Sequence, residues 1–342
     1  MTEPLFVAFA QGYGRLPVSE LEGAMEAEGT TLEMSPGVQG VLRFRADSGS
    51  ASRAVARLSL SQFMCRELCF SRGGAGDISK EIRRGIPVPK TQSFKLIVKR
   101  IGAAVPAEAV NSLTSEVGGE LAEAMHAKVR LVNPERTFVM LIAPDGAVLG
   151  VRIVPTARKE LPVRRNEVKP FSHHSTLQPE FCRVLVNLAR VRRGYLVLDP
   201  FCGAGGILME ACDLGATSLG LDFKLSMIKG ARSNLVKFGY SDFHLAVGDA
   251  QRCPFIRADA IATDPPYGIL SPMVRNRLVS ETYQDLVEFS RDTLPANGYL
   301  SLVYPSAEPV GDMIRNAGLT LVSKDEIRVH DSLTRAFVVA RK

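Results

Sequence analysis

Leu196-Val197-Leu198-Asp199-Pro200-Phe201-Cys202-Gly203-Ala204-Gly205-Gly206-Ile207-Leu208-Met209-Glu210-Ala211 reads as strand, glycine-rich turn and helix. The glycines let the backbone turn sharply and approach a ligand closely. Thr217-Ser218-Leu219-Gly220-Leu221-Asp222 follows as a second strand, again ending in an acid. Asp222 lies 19 positions after Gly203, close to the ~20-residue offset at which a strand-end acid meets ribose hydroxyls. This alternation predicts an open, mostly parallel α/β sheet with its ligand at the carboxyl ends of the strands.

Nicotinamide binding is the obvious competitor. The dinucleotide fingerprint needs a third glycine three positions after the second, and that position is Leu208. Asp199, in front of the turn, repels a pyrophosphate but welcomes an ammonium. S-adenosylmethionine carries an ammonium and a ribose and has no phosphate, so the turn is read as a site for that methyl donor. A third strand, Phe243-His244-Leu245-Ala246-Val247, leads to Gly248-Asp249-Ala250. Asp249 is placed there to accept from an adenine amino group. A fourth, Asp259-Ala260-Ile261-Ala262-Thr263, leads to Asp264-Pro265-Pro266-Tyr267. Each acid taken singly reads equally well as a turn residue, but in a parallel sheet Asp199, Asp222, Asp249 and Asp264 converge on one edge.

The last tetrapeptide carries the chemistry. Proline has no N–H, so the carbonyls here are left to accept hydrogen bonds. The Asp264 carboxylate is a second acceptor, and Tyr267 offers a flat π-face. The set suits a planar base with an exocyclic amine, held through its N–H groups and stacked on a ring. Read alone, Asp-Pro-Pro is also a common loop and Pro-Pro-Tyr a polyproline ligand.

The chain has 342 residues, enough for two or three domains, with 46% hydrophobic residues and a mean hydropathy of +0.06. No apolar run approaches the ~18 residues of a membrane span, and no secretion signal is apparent. The six cysteines (Cys65, Cys69, Cys182, Cys202, Cys212, Cys253) are scattered, as expected of free thiols in a reducing cytoplasm, and no metal site is expected. Net charge is +6 and unevenly spread. Residues 1–42 hold one basic and six acidic side chains, 43–100 hold thirteen and four, and 150–193 hold ten and three. Basic charge therefore gathers ahead of the α/β part, as expected if those regions grip a polyanion; a solvated surface is the plainer alternative.

The amino-terminal half has α+β features. Strands are expected at 5–10, 38–45, 94–100, 127–132, 137–142 and 147–154. A short helix is expected over 18–28 with Ser19 as cap, and a longer one over 106–126 with an apolar stripe through Val110, Leu113, Val117, Leu121, Ala124 and Met125. Near the carboxyl end, 298–303, 319–323 and 336–340 read as strands, the last two as an antiparallel pair at the sheet edge.

From about Pro170 onward the chain resembles the class I S-adenosylmethionine-dependent methyltransferases that modify exocyclic amines. Asp199 to Gly206 looks like their first motif and Asp264 to Gly268 like their fourth. Residues 48–155 resemble a THUMP domain, an RNA-binding module, through Ser93–Gly102, Ala127–Pro134 and Val148–Arg152. The combination resembles the tRNA guanine-10 N2-methyltransferases of the archaeal branch, which make mono- and dimethylguanosine. The resemblance implies a ferredoxin-like segment at 1–47, THUMP at 48–155, a basic linker at 156–175 and a Rossmann-like methyltransferase domain at 176–342. It implies Asp264, Pro265 and Tyr267 as catalytic residues, and Asp199, Phe201, Gly203, Gly205, Asp222, Asp249, Ala250 and His173 around S-adenosylmethionine. It implies tRNA as partner, with no activating subunit evident. The family's Phe-x-His-Pro connector is here Phe171-Ser172-His173-His174, with His174 in place of proline. A DNA adenine N6-methyltransferase, which uses a similar tetrapeptide, and a tRNA-binding protein with a vestigial catalytic domain remain the competing readings.

Overall fold

The computed structural model describes residues 2–102, 106–165, 167–173, 176–267, 279–330 and 333–342. The chain first runs β1 (Thr2–Phe9), α1 (Leu16–Ala27), β2 (Glu33–Val38), β3 (Val41–Asp47), α2 (Ser48–Ala56), β4 (Ser61–Ser71), α3 (Ala75–Arg83), β5 (Ser93–Arg100), α4 (Ala107–Met125), β6 (Lys128–Val129), β7 (Arg136–Ala143) and β8 (Gly146–Pro155). Two short 3-10 turns, Ala157–Lys159 and Leu161–Arg164, then lead into α5 (Pro179–Leu188), β9 (Leu196–Asp199), α6 (Gly206–Asp213), β10 (Thr217–Asp222), α7 (Leu225–Lys237) and β11 (Phe243–Val247). The remainder is β12 (Ala260–Thr263), α8 (Val279–Thr293), β13 (Tyr299–Pro305), α9 (Val310–Asn316), β14 (Thr320–His330) and β15 (Leu333–Arg341). Two compact units result. One takes Met1–Gln11, Thr30–Ala56 and Ser61–Thr156; the other takes Gly12–Gly29, Arg57–Leu60 and Ala157–Lys342.

The first unit is built on one sheet in the order β2-β3-β1-β4-β8-β7-β5-β6. Alternating residues of β5, β7 and β8 meet α3 and α4, so Ile78, Ile82, Val117 and Leu121 pack with Phe94, Phe138, Met140 and Leu149. Residues expected as a separate amino-terminal segment (1–47) and those of the next domain share this sheet, with β4 at their junction. Residue 47 is therefore not a break between sheets. The long helix buries Val117, Leu121 and Met125 of its expected stripe, while Ala124 faces out. The strand expected over 127–132 pairs only at Lys128 and Val129. Asn133, at φ 47°, and Pro134 turn the chain away, leaving Leu131 and Val132 68% and 73% exposed.

The second unit carries a sheet in the order β11-β10-β9-β12-β13-β15-β14. Strands β9 to β13 run parallel, and β15 lies antiparallel between β13 and β14. Strand order reverses between β9 and β12, which opens a crevice at their carboxyl ends. Helix α1 belongs to this unit. It begins at Leu16, with Pro17 in the first turn where a missing N–H costs nothing, and Ser19 is buried inside it rather than capping it. A Cβ on Gly23 would lie 2.5 Å from the Asn187 carbonyl oxygen, so α1 meets α5 backbone to backbone. Buried Glu20 accepts from Ser59 N–H and Oγ (both 2.8 Å), Leu60 N–H (3.0 Å) and Asn187 Nδ2 (2.9 Å). Those bonds meet the acceptor demand of a carboxylate removed from water and fix Arg57–Leu60 to this unit.

Candidate active site

The four strand-end acids lie along one sheet edge. Asp199 ends β9, Asp222 ends β10, Asp264 directly follows β12, and Asp249 stands two residues beyond β11. Asp199 is 1% exposed, and its Oδ1 accepts from the Phe201 N–H (3.1 Å) and the Thr263 hydroxyl (2.6 Å). Thr263 ends β12, so the second bond joins the two strand ends that flank the crevice. Burial pushes the Asp199 carboxyl up to about 7; the charges of Asp264 and Asp222 add to the rise, and the bonds from Thr263 and Phe201 oppose it. Asp222 accepts from the Gly203 N–H (3.1 Å) and the Lys224 N–H (2.8 Å). Burial holds its carboxyl above the usual range, opposed by those two bonds and by the charges of Lys224 and His173.

The glycine-rich turn needs its glycines. Gly203 and Gly205 have φ of 49° and 80°, the left-handed region. A Cβ on Gly205 would come within 3.1 Å of the Ala231 Cβ, whereas one on Gly203 would meet only the Phe201 carbonyl oxygen, at 4.0 Å. The turn is thus tight on its α7 side and open at Gly203. Asp249 accepts from the Gln251 N–H at 3.2 Å, and Ala250 begins the short 3-10 turn that follows. Cys202 and Cys253 have thiols raised chiefly by burial, and neither is poised for attack. All six cysteines are free.

Asp264 is partly exposed as a residue, but its Oδ1 is buried without a hydrogen-bond partner among the described residues. Burial pushes its carboxyl up to about 6, opposed by the Tyr267 hydroxyl and the Arg335 guanidinium. The hydroxyl and the guanidinium both favour its ionised, accepting form. The Pro266 carbonyl accepts from the Tyr283 hydroxyl at 3.5 Å, which leaves the Pro265 carbonyl the less engaged of the two. Arg335, on β15, lies 5.4 Å from the centre of the Tyr267 ring, and its Nε is buried without a partner among the described residues. Nothing in the sequence pointed to Arg335: it sits in a strand that reads as an edge. His173 lies near enough to Asp222 for its charge to act there; His174 and Gly268 fall outside the described residues. Among the described residues no cluster of His, Cys, Asp or Glu has the makings of a metal site, and no helix is long and apolar enough to cross a membrane.

Carboxylates that raise one another's affinity for protons favour a cationic ligand and disfavour a phosphate. The residues present fit S-adenosylmethionine on that ground, since its ammonium and sulfonium are positive and its ribose and adenine offer donors to acids. Residues 166–336, half of the chain, match the family described as UPF0020, the RMKL-like methyltransferase domain. A tRNA (guanine(10)-N2)-dimethyltransferase of Pyrococcus abyssi is 31% identical over 273 residues, covering 78% of this chain and 80% of its own. The chain belongs to the tRNA (guanine(10)-N2)-dimethyltransferase family. A second member, from Methanothermobacter thermautotrophicus, is 26% identical over 340 residues and covers 99% of each chain. The crystal structure of TrmN from Thermus thermophilus shares the fold, with a TM-score of 0.55 at 20% identity over 99% of this chain and 100% of that one. The family's methyltransferase match covers the glycine-rich turn, the four acids and Tyr267, and ends one residue past Arg335.

Proposed function

We propose that this chain transfers methyl from S-adenosylmethionine to the exocyclic N2 amine of a guanosine in tRNA, at position 10, giving N2-methyl- and N2,N2-dimethylguanosine. The observation that carries this reading is Asp264, whose buried Oδ1 has no partner among the described residues, at the crevice where strand order reverses. An unpaired buried acceptor costs about 1–3 kcal/mol; a substrate amine would satisfy it, alongside the neighbouring Tyr267 hydroxyl.

Bound S-adenosylmethionine supplies an electrophilic methyl group. Asp199 holds the ammonium, Asp222 the ribose hydroxyls, and Asp249 with Ala250 the adenine; Phe201, Gly203, Gly205 and His173 shape the pocket. Asp264 and the Pro265 carbonyl would accept from the two N2–H groups of a flipped guanine, and Asp264 from the one that remains in a second round, turning the nitrogen toward the methyl group while Tyr267 stacks on the base; S-adenosylhomocysteine leaves and the displaced N2 proton passes to Asp264. The first unit, with exposed Arg45, Arg53, Arg72, Arg83 and Lys90, grips tRNA phosphates through a THUMP-type module at 48–155. The catalytic unit is Gly12–Gly29, Arg57–Leu60 and Ala157–Lys342, and the basic stretch expected as a linker at 156–175 is packed into it through buried Leu161, Arg164 and Lys169; the setting is the cytoplasm.

The test is transfer from labelled S-adenosylmethionine to unmodified tRNA transcripts, followed by digestion to nucleosides. Asp264→Ala should abolish transfer, a loss of about a thousandfold or more, with tRNA binding near wild type. Retained activity in that variant, or wild-type transfer to adenine in DNA and not to tRNA, overturns the assignment.

A further inference from the structure

The loop that carries His173 is held to the glycine-rich turn by one side chain. Asn234, on α7, is 0% exposed. Its Oδ1 accepts from the Phe171 N–H at 3.0 Å, and its Nδ2 donates to the Phe171 carbonyl at 2.9 Å and to the Ala204 carbonyl at 2.9 Å. Both amide donors are thereby used, one on the loop and one on the turn between Gly203 and Gly205. One helical turn earlier, a Cβ on Gly230 would fall 2.1 Å from the Phe171 ring. The missing side chain is a socket that seats this ring. On the far side of His173, the Thr176 N–H donates to the His173 carbonyl at 3.0 Å. His173 therefore stands two residues from an anchored point, Phe171.

We propose that Asn234 is a positioning residue for methyl-donor binding, fixing the Ala204 carbonyl and the Phe171–His173 segment in register so that the turn and the loop form one wall of the donor pocket. It rests on the proposed function, because the donor is the ligand of that wall. The Asn234 amide is spent on Phe171 and Ala204. The polar side chain falls on the otherwise apolar stripe of α7 (Met227, Ile228, Ala231, Leu235). A helix that needed only packing there would carry an aliphatic residue, and the amide instead joins two segments distant in sequence.

Calorimetric titration with S-adenosylhomocysteine tests this on the full chain. Asn234→Ala should raise its Kd about tenfold or more, as expected for loss of two or three buried hydrogen bonds. The KM for S-adenosylmethionine should rise in parallel, with kcat at saturating donor and tRNA affinity close to wild type. Asn187→Ala is the control: it removes an equally buried amide, bonded to Glu20 and to Arg57, away from the donor turn. It should lower Tm without changing the Kd. Phe171→Ala empties the Gly230 socket and keeps the backbone bonds, so it should raise the Kd severalfold even if Asn234→Ala fails to fold. An unchanged Kd in folded Asn234→Ala or Phe171→Ala, or an equal rise in Asn187→Ala, overturns the proposal. A wild-type chain that binds no S-adenosylhomocysteine refutes the underlying function, and the positioning role with it.

Discussion

Replacing Asp199 by asparagine asks whether the crevice recognises its ligand by charge. The amide oxygen can still accept from the Phe201 N–H and the Thr263 hydroxyl, which meet Oδ1 at 3.1 and 2.6 Å, so the two strand ends stay joined while the charge is removed. In the wild-type chain burial lifts this carboxyl up to about 7. At pH 6, one unit lower, only about a tenth of the empty protein carries the charge. Affinity for a ligand whose ammonium needs the carboxylate should then fall about tenfold, or ~1.4 kcal/mol, for each pH unit below 7. Titration with S-adenosylhomocysteine from about pH 5.5 to about pH 8 reads this slope directly. Asp199→Asn should bind weakly throughout and show a reduced slope. The empty protein should respond in the opposite sense. An aspartate in the unfolded chain loses its proton near 4, whereas folded Asp199 keeps it to about 7. The native state binds more protons across that window, so its stability falls as pH rises through it. Flat wild-type affinity, or an unchanged slope in Asp199→Asn, would refute the argument from charge.

Two further substitutions probe the scaffold. Gly205→Ala forces a left-handed φ of 80° on alanine and sets a Cβ 3.1 Å from that of Ala231; a loss of about 1–3 kcal/mol and weaker donor binding are expected. Thermal melts and calorimetry check both, and wild-type values would contradict the tightness of the turn. Glu210→Gln removes the charge that Arg164 and Arg183 share, each with a nitrogen 2.8 Å from Glu210, leaving two buried guanidiniums to the single carboxylate of Asp213. Urea unfolding should register a loss of about 3 kcal/mol, and a loss well under 1 kcal/mol would mean that Asp213 alone suffices.

The catalytic half was legible because it is written in local rules. The expected strands at 217–222 and 243–247 coincide with β10 and β11, since short apolar runs ending in an acid and a glycine-rich turn leave little choice of structure. Other elements depend on partners far along the chain. The strand expected at 319–323 continues as β14 to His330 although, past Leu321 and Val322, only Asp325 and Ile327 are buried; its length comes from pairing with β15 and not from its own apolarity. Ser19 has the chemistry of a cap but lies inside α1, because Pro17 already marks the first turn. Arg335 and Asn234 were missed for different reasons. Arg335 acquires meaning only when β15 brings it beside Tyr267, whereas Asn234 did leave a trace, a buried amide on an apolar helix stripe.

The threading of the chain bears on its synthesis. The second unit draws on Gly12–Gly29 and Arg57–Leu60 as well as on everything after residue 156. Glu20 and its partner Asn187 are separated by 167 positions. At the ~5–20 residues per second of translation, Glu20 is synthesised roughly eight to thirty-three seconds before Asn187. During that interval Leu16, Leu21, Ala24 and Met25 have no completed core to enter. A nascent chain halted at the end of β8 would display that helix unburied, a binding site for chaperones and a seed for aggregation. Cutting the gene there would not release the first unit as a clean domain; excising it requires that 12–29 and 57–60 be replaced by short polar connectors.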